Sequence, residues 1–118
     1  IPPERIVLAG FSQGGAIALH AGLRYPDSLA GIMGLSTYLL MADRLETERS
    51  AANLKTPLFL AHGTLDPVVP FVAGDRSREY LAALGYESEW HSYTMPHAVC
   101  PEEIADIRHW IAGIFASL

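Results

Sequence analysis

Four times along the chain a short apolar or β-branched run is followed by a stretch of helical periodicity, the alternation that builds a parallel sheet covered by helices. Residues 5–10 are the first strand, and residues 14–25 carry Ile17, Leu19, Ala21 and Leu23 before Pro26 stops the helix. Residues 31–36 are the second strand. A loop with an apolar face then leads to a short charged helix over 42–53, which ends before Thr56-Pro57. Residues 57–63 are apolar almost to their end, as in a strand covered on both faces. The following loop enters a helix whose Ala73, Ser77, Tyr80, Leu81 and Leu84 share a face and which stops at Gly85. Residues 88–94 alternate, with Trp90 and Ser92 opposite His91 and Tyr93, which places this strand toward an edge. The last helix opens at Pro101, carries Glu102, Glu103 and Asp106 at its positive end, and offers Ile104, Ile107, Ile111, Ile114 and Leu118 as its buried stripe. The expectation is an α/β fold of about four parallel strands flanked by helices, one domain over residues 1–118.

Composition narrows what such a fold does. Of 118 residues, 50% are hydrophobic and only 18% charged, which excludes intrinsic disorder. The net charge is −5 and no Lys/Arg cluster is present, so neither nucleic acid nor an anionic membrane is an expected partner. The longest stretch without a charged side chain, Ile6 to Leu23, is interrupted by Ser12, Gln13, glycines and His20; it reads as core plus site, not as a bilayer span. A single cysteine, Cys100, allows no internal disulfide and fits a reducing compartment, so a cytoplasmic location is expected. The opening Ile1-Pro2-Pro3-Glu4 leads at once into a strand, as in a piece of a longer protein.

Gly10-Phe11-Ser12-Gln13-Gly14-Gly15 lies between a strand and a helix, the setting of a nucleophile elbow. Glycines two residues either side of Ser12 permit the tight turn that holds its hydroxyl above the sheet, and the Gln13 N–H then faces a bound carbonyl as an oxyanion donor. A serine nucleophile needs a base and a third group that orients it. In chain order the acid precedes the histidine: Asp66 follows the third strand and His97 the fourth. Asp43, Glu46 and Glu48 sit on a charged, solvated helix, and Asp75 favours the dipole of the third helix. His20, His91 and His109 lie inside elements as structural or solvated groups, while His62 ends the third strand where it orders the Asp66 loop. Cys100 reads as a helix cap or packed thiol. No metal-binding spacing and no phosphate loop occur, so no metal or cofactor is expected.

Gly10-Phe11-Ser12-Gln13-Gly14-Gly15, Leu35-Ser36-Thr37-Tyr38-Leu39, the His62-to-Pro70 block His-Gly-Thr-Leu-Asp-Pro-Val-Val-Pro, and His97 together resemble the microbial carboxylesterases related to acyl-protein thioesterases. The resemblance spans nearly the whole chain. It implies an α/β-hydrolase sheet and hydrolysis of esters or thioesters through an acyl-enzyme, with Ser12 as nucleophile, His97 as base and Asp66 as its orienter. Two departures stand out. Members of this family are near twice this length, and the absent amino-terminal half carries the second oxyanion donor, worth about 10² to 10³ in turnover. Pro96 replaces the glycine that relatives often carry before the histidine. The first strand would also lack a neighbour, so association into a homo-oligomer, or pairing with the missing half, is expected. Leu39, Leu40, Met41, Val68 and Val69 are loop apolar residues that suit a pocket for short or medium uncharged acyl groups. The rival functions are a prolyl-oligopeptidase-type peptidase, and an inactive fragment or assembly subunit that keeps the triad without a complete oxyanion hole.

Overall fold

The four apolar runs lie side by side in chain order. In the computed structural model, which describes residues 1–118, β1 (Val7–Phe11), β2 (Gly31–Leu35), β3 (Leu58–Gly63) and β4 (Ser88–Tyr93) form one sheet in the order β1-β2-β3-β4. All three pairings are parallel, with Val7 opposite Gly31, Ile32 opposite Leu58, and Leu58 opposite Ser88. Helices α1 (Gln13–Arg24), α2 (Ala42–Glu48), α3 (Phe71–Ala83) and α4 (Pro101–Ala116) fill the intervals. Because every strand runs the same way, all four carboxyl ends open onto one rim, and the loops that follow them converge there.

Alternate strand residues feed two cores. Ile32, Leu58 and Leu60 pack with Leu19 and Leu23 of α1 and Leu81 of α3. Met33, Phe59 and Ala61 face the other way, onto Trp110 of α4, whose ring stands 5.5 Å from that of Phe59. This period-two division explains why β2 and β3 lack polar positions until their ends: both faces are covered.

Two elements depart from the sequence expectation. The helix expected over 42–53 breaks after Glu48 and resumes as a 3-10 turn at Ala51–Asn53. Between them Arg49 is extended and donates to the Leu84 carbonyl at 2.9 Å, while the buried Asn53 side chain accepts from Leu29 N–H and Thr56 hydroxyl and donates to the carbonyls of Tyr25 and Asp27. These tertiary bonds outweigh helix continuation. In α4 the inward face is turned from the expected stripe: Glu103 and Trp110 are buried, Ile107, Ile111 and Ile114 are partly buried, and Ile104 and Leu118 are exposed. The bulky indole takes the place against Phe59, so the helix rotates to seat it. As the missing neighbour of the first strand led us to expect, β1 is an edge: it pairs only with β2, and its Ala9 and Phe11 are exposed.

Candidate active site

Ser12 joins β1 to α1 with φ 58° and ψ −123°, a left-handed conformation that is costly for a side-chain-bearing residue. The surroundings hold it there. Ser12 N–H donates to the Leu35 carbonyl at 2.8 Å, and its own carbonyl accepts from Thr37 Oγ1 at 2.6 Å and Ala16 N–H at 3.1 Å. A Cβ on Gly10 would stand 2.2 Å from the Gly14 carbonyl group, and one on Gly15 would stand 2.8 Å from the Gly10 oxygen, so strand and helix meet too closely for any side chain. Gly14 faces no such obstacle; the glycine that the turn requires after Ser12 is Gly15, one position later than the motif suggests. The Ser12 hydroxyl makes no helix-capping bond and is left free for other chemistry.

That hydroxyl lies 3.0 Å from His97 Nε2, and His97 Nδ1 lies 2.7 Å from Asp66 Oδ2. The second Asp66 oxygen accepts from the amides of Val68 at 2.8 Å and Val69 at 2.9 Å. The Asp66 side chain is wholly buried. Burial raises its pKa, but the His97 hydrogen bond and the Val69 and Val68 amides outweigh it and hold the carboxyl below its ordinary 3.8. An ionised carboxylate at Nδ1 fixes the tautomer in which Nε2 offers its lone pair to Ser12. The loop itself is tied to the next strand by Thr64 N–H to Tyr93 carbonyl at 2.8 Å and Leu65 N–H to Met95 carbonyl at 3.1 Å. His62 Nε2, buried beneath, is 2.8 Å from the Val69 carbonyl and 3.6 Å from Asp66 Oδ2, so it orders the loop from below and does not reach Ser12. Phe11 lies against the base, ring centroids 4.7 Å apart.

A strained serine, an imidazole and a buried carboxylate lie in line, an arrangement chemically capable of acyl transfer. The sequence profile of the phospholipase/carboxylesterase family matches residues 1–114. The chain belongs to that family. It is 44% identical over 114 residues to acyl-protein thioesterase 1 of Gibberella zeae, covering 94% of this chain and 48% of that protein. It is 45% identical over 119 residues to the Mycosarcoma maydis acyl-protein thioesterase 1, covering 97% and 50%. Among solved structures, Arabidopsis thaliana SOBER1 superposes with a TM-score of 0.90 at 31% identity, covering 98% of this chain and 55% of SOBER1. Zea mays acyl-protein thioesterase 2 gives 0.85 at 30%, covering 93% and 56%. The chain thus spans about half the length of the relatives it matches.

Within this phospholipase/carboxylesterase chain the other polar candidates lie apart from the Ser12 hydroxyl. Glu48 pairs with Arg24 at 2.8 Å, Asp43 and Glu46 are exposed, and Asp75 pairs with Arg78 at 2.6 Å instead of serving the helix dipole. His91 pairs with Glu89, His109 is exposed, and His20 lies in α1. Cys100 occupies the cap position of α4 but its thiol makes no capping bond. Of the loop apolar residues, Met41 and Val68 are exposed, Leu40 is half-buried, and Val69 is buried with its main chain engaged by Asp66 and His62. Leu39 packs on the core and lines, with Ala42, Arg76, Ser77 and Tyr80, an open cavity of about 180 Å³. No helix is long and apolar enough to cross a membrane, and no group of three His, Cys, Asp or Glu side chains is arranged to hold a metal. The sequence does not reveal Thr37, Gly15 or the Val68 and Val69 amides as supports: Gly15 and the two amides act through backbone geometry, and the Thr37 hydroxyl acts on the Ser12 carbonyl across the fold.

Proposed function

We propose that this chain carries the nucleophile, base and acid of a serine carboxylesterase acting on short- to medium-chain carboxylic esters or thioesters. The observation that carries the reading is the continuous relay Ser12 Oγ, His97 Nε2, His97 Nδ1, Asp66 Oδ2 at 3.0 and 2.7 Å. His97 takes the Ser12 proton as Oγ attacks the acyl carbon, and the resulting imidazolium is stabilised by the Asp66 carboxylate. The tetrahedral oxyanion forms at the start of α1, where no acidic residue stands in the first turn and the Gln13 amide has no helical acceptor. Collapse transfers the proton from His97 to the departing alcohol or thiol and leaves an acyl-serine. Water, deprotonated by the same imidazole, then releases the acid. Met41 and Val68, exposed beside the relevant loops, suit an uncharged acyl chain.

The proportion of the relatives that this chain spans supports a second statement. We infer that it corresponds to their carboxyl-terminal half, and that a second oxyanion donor comes from a polypeptide seated on the open β1 edge, either the complementary half or another copy. Hydrolysis of short-chain p-nitrophenyl esters and thioesters, by the chain alone and after adding the amino-terminal half of a relative, tests both statements. The expected result is turnover that Ser12→Ala abolishes and that the added half raises by about 10² or more. Turnover that survives Ser12→Ala overturns the serine mechanism, and turnover unchanged by the added half overturns the second statement.

A further inference from the structure

Glu103 is out of place by every compositional expectation. It stands in the first turn of α4, is completely buried, and neither carboxyl oxygen has a hydrogen-bonding partner. Buried acids are almost always paired, so an orphan at this depth calls for a reason.

Its location supplies one. His97 lies only three residues before Cys100, the cap residue of α4, and the segment between them is sparsely held. Ala98 N–H donates to the Pro96 carbonyl, but neither the Val99 nor the Cys100 amide donates a hydrogen bond, and the Cys100 side chain does not cap the helix. Glu103 is the third residue of α4, the position from which a glutamate reaches back to the cap residue's amide. We propose that Glu103 is a positioning residue for His97, its carboxylate drawing the Cys100 amide onto α4 and so fixing the loop that presents the imidazole to Ser12. The proposal rests on the serine-hydrolase reading of the site for its consequence, but not for its geometry.

The electrostatics make the contact adjustable. Burial raises the Glu103 pKa, the nearby Cys100 amide favours the ionised form, and the Asp106 charge opposes it, with the balance at about 7. Around it stand Cys100 at the cap, Asp106 on its own helix and Tyr93 on β4. Tyr93 donates to Asp106 at 2.5 Å, and His91 lies 3.5 Å from the same carboxylate. Below the transition Glu103 is a neutral acid and a weaker acceptor; above it the carboxylate holds the loop closed.

Amide hydrogen exchange of the purified chain at Val99 and Cys100, corrected for intrinsic rates, reads this directly. Wild type is expected to gain protection about tenfold between pH 6 and 8, whereas Glu103→Gln shows no step and Glu103→Ala exchanges fast throughout. The rate of Ser12 labelling by a fluorophosphonate, followed by intact mass, is expected to fall severalfold in both variants. Near-ultraviolet circular dichroism that matches wild type shows that the variants fold. If Glu103→Gln and wild type protect these amides identically across pH, the proposal is wrong. Wild type that resists labelling while showing the protection step defeats the serine reading and leaves the Glu103 contact standing.

Discussion

Asp66 is asked to do two things at once, and a pair of substitutions separates them. Its carboxylate accepts from the Val68 and Val69 amides through one oxygen and faces His97 through the other. Asp66→Ala removes all three bonds. The Val68 amide is only partly buried and regains water, but the Val69 amide is buried and stays unpaired, at a cost of about 1–3 kcal/mol. With the lost charge-assisted bond to the imidazole, the total reaches about 3 kcal/mol, or a fall in Tm of roughly 10 °C or more for a domain of this size. Asp66→Asn keeps an acceptor for both amides and presents an NH₂ to His97 Nδ1, which forces the wrong tautomer. Its stability is expected within about 1.5 kcal/mol of wild type, while Ser12 labelling by a fluorophosphonate drops by about 10³ to 10⁴. Because the folded carboxyl is held below 3.8, its contribution is present above that value and disappears as pH falls through the lowered one; Asp66→Ala therefore flattens the acid limb of the stability curve. Urea titrations from pH 2 to 8, run beside the labelling assay, measure both. Equal destabilisation by Ala and Asn, or labelling retained in Asn, would refute this division of labour.

Three further changes probe the supports. Gly74→Ala places a Cβ 2.3 Å from the ring nitrogen of buried His62, so it is expected to cost about 1–3 kcal/mol and to loosen the Asp66 loop, seen as faster exchange at the Val68 and Val69 amides. Asn53→Ala strands the Leu29 amide and two carbonyls and should lower stability by about 2–4 kcal/mol in urea titration without altering the relative labelling rate of the folded fraction. Glu103 is neutral in the folded state between 4.5 and about 7 but ionised in the unfolded chain, so its stabilising share is full below 4.5 and is lost as pH rises to about 7. At roughly 1.36 kcal/mol per pH unit the loss is about 3 kcal/mol, and Glu103→Gln should remove that slope in urea titrations at pH 5 and 8.

The strands were legible because β2 and β3 are covered on both faces and so exclude polar residues, and their observed bounds fall within a residue of the apolar runs. The meeting of the Ser12, Asp66 and His97 side chains was legible for a related reason. In a parallel sheet every strand delivers its following loop to the same rim, so the order of Ser12, Asp66 and His97 along the chain already limits where they meet. Rotation of α4 was not legible: counting isoleucines selects a stripe, but only packing shows that Trp110 must face Phe59.

Glu103 marks the limit of such reading most sharply. Hydropathy assigns any glutamate in a first helical turn to solvent and to the dipole, and both assignments ignore what the neighbouring loop covers. Asp66 and Glu103 are both buried carboxyls beside His97 in space or sequence, and burial pushes both upward. What separates them is the number of donors in place. Three N–H groups converge on Asp66 and keep it charged, whereas Glu103 has no closed hydrogen bond and a like charge at Asp106. The first therefore stays an anion at any pH above its lowered value, suited to orient an imidazole, and the second changes state near neutrality. Donor supply, set by backbone geometry in two short loops, assigns these chemically equivalent residues opposite roles.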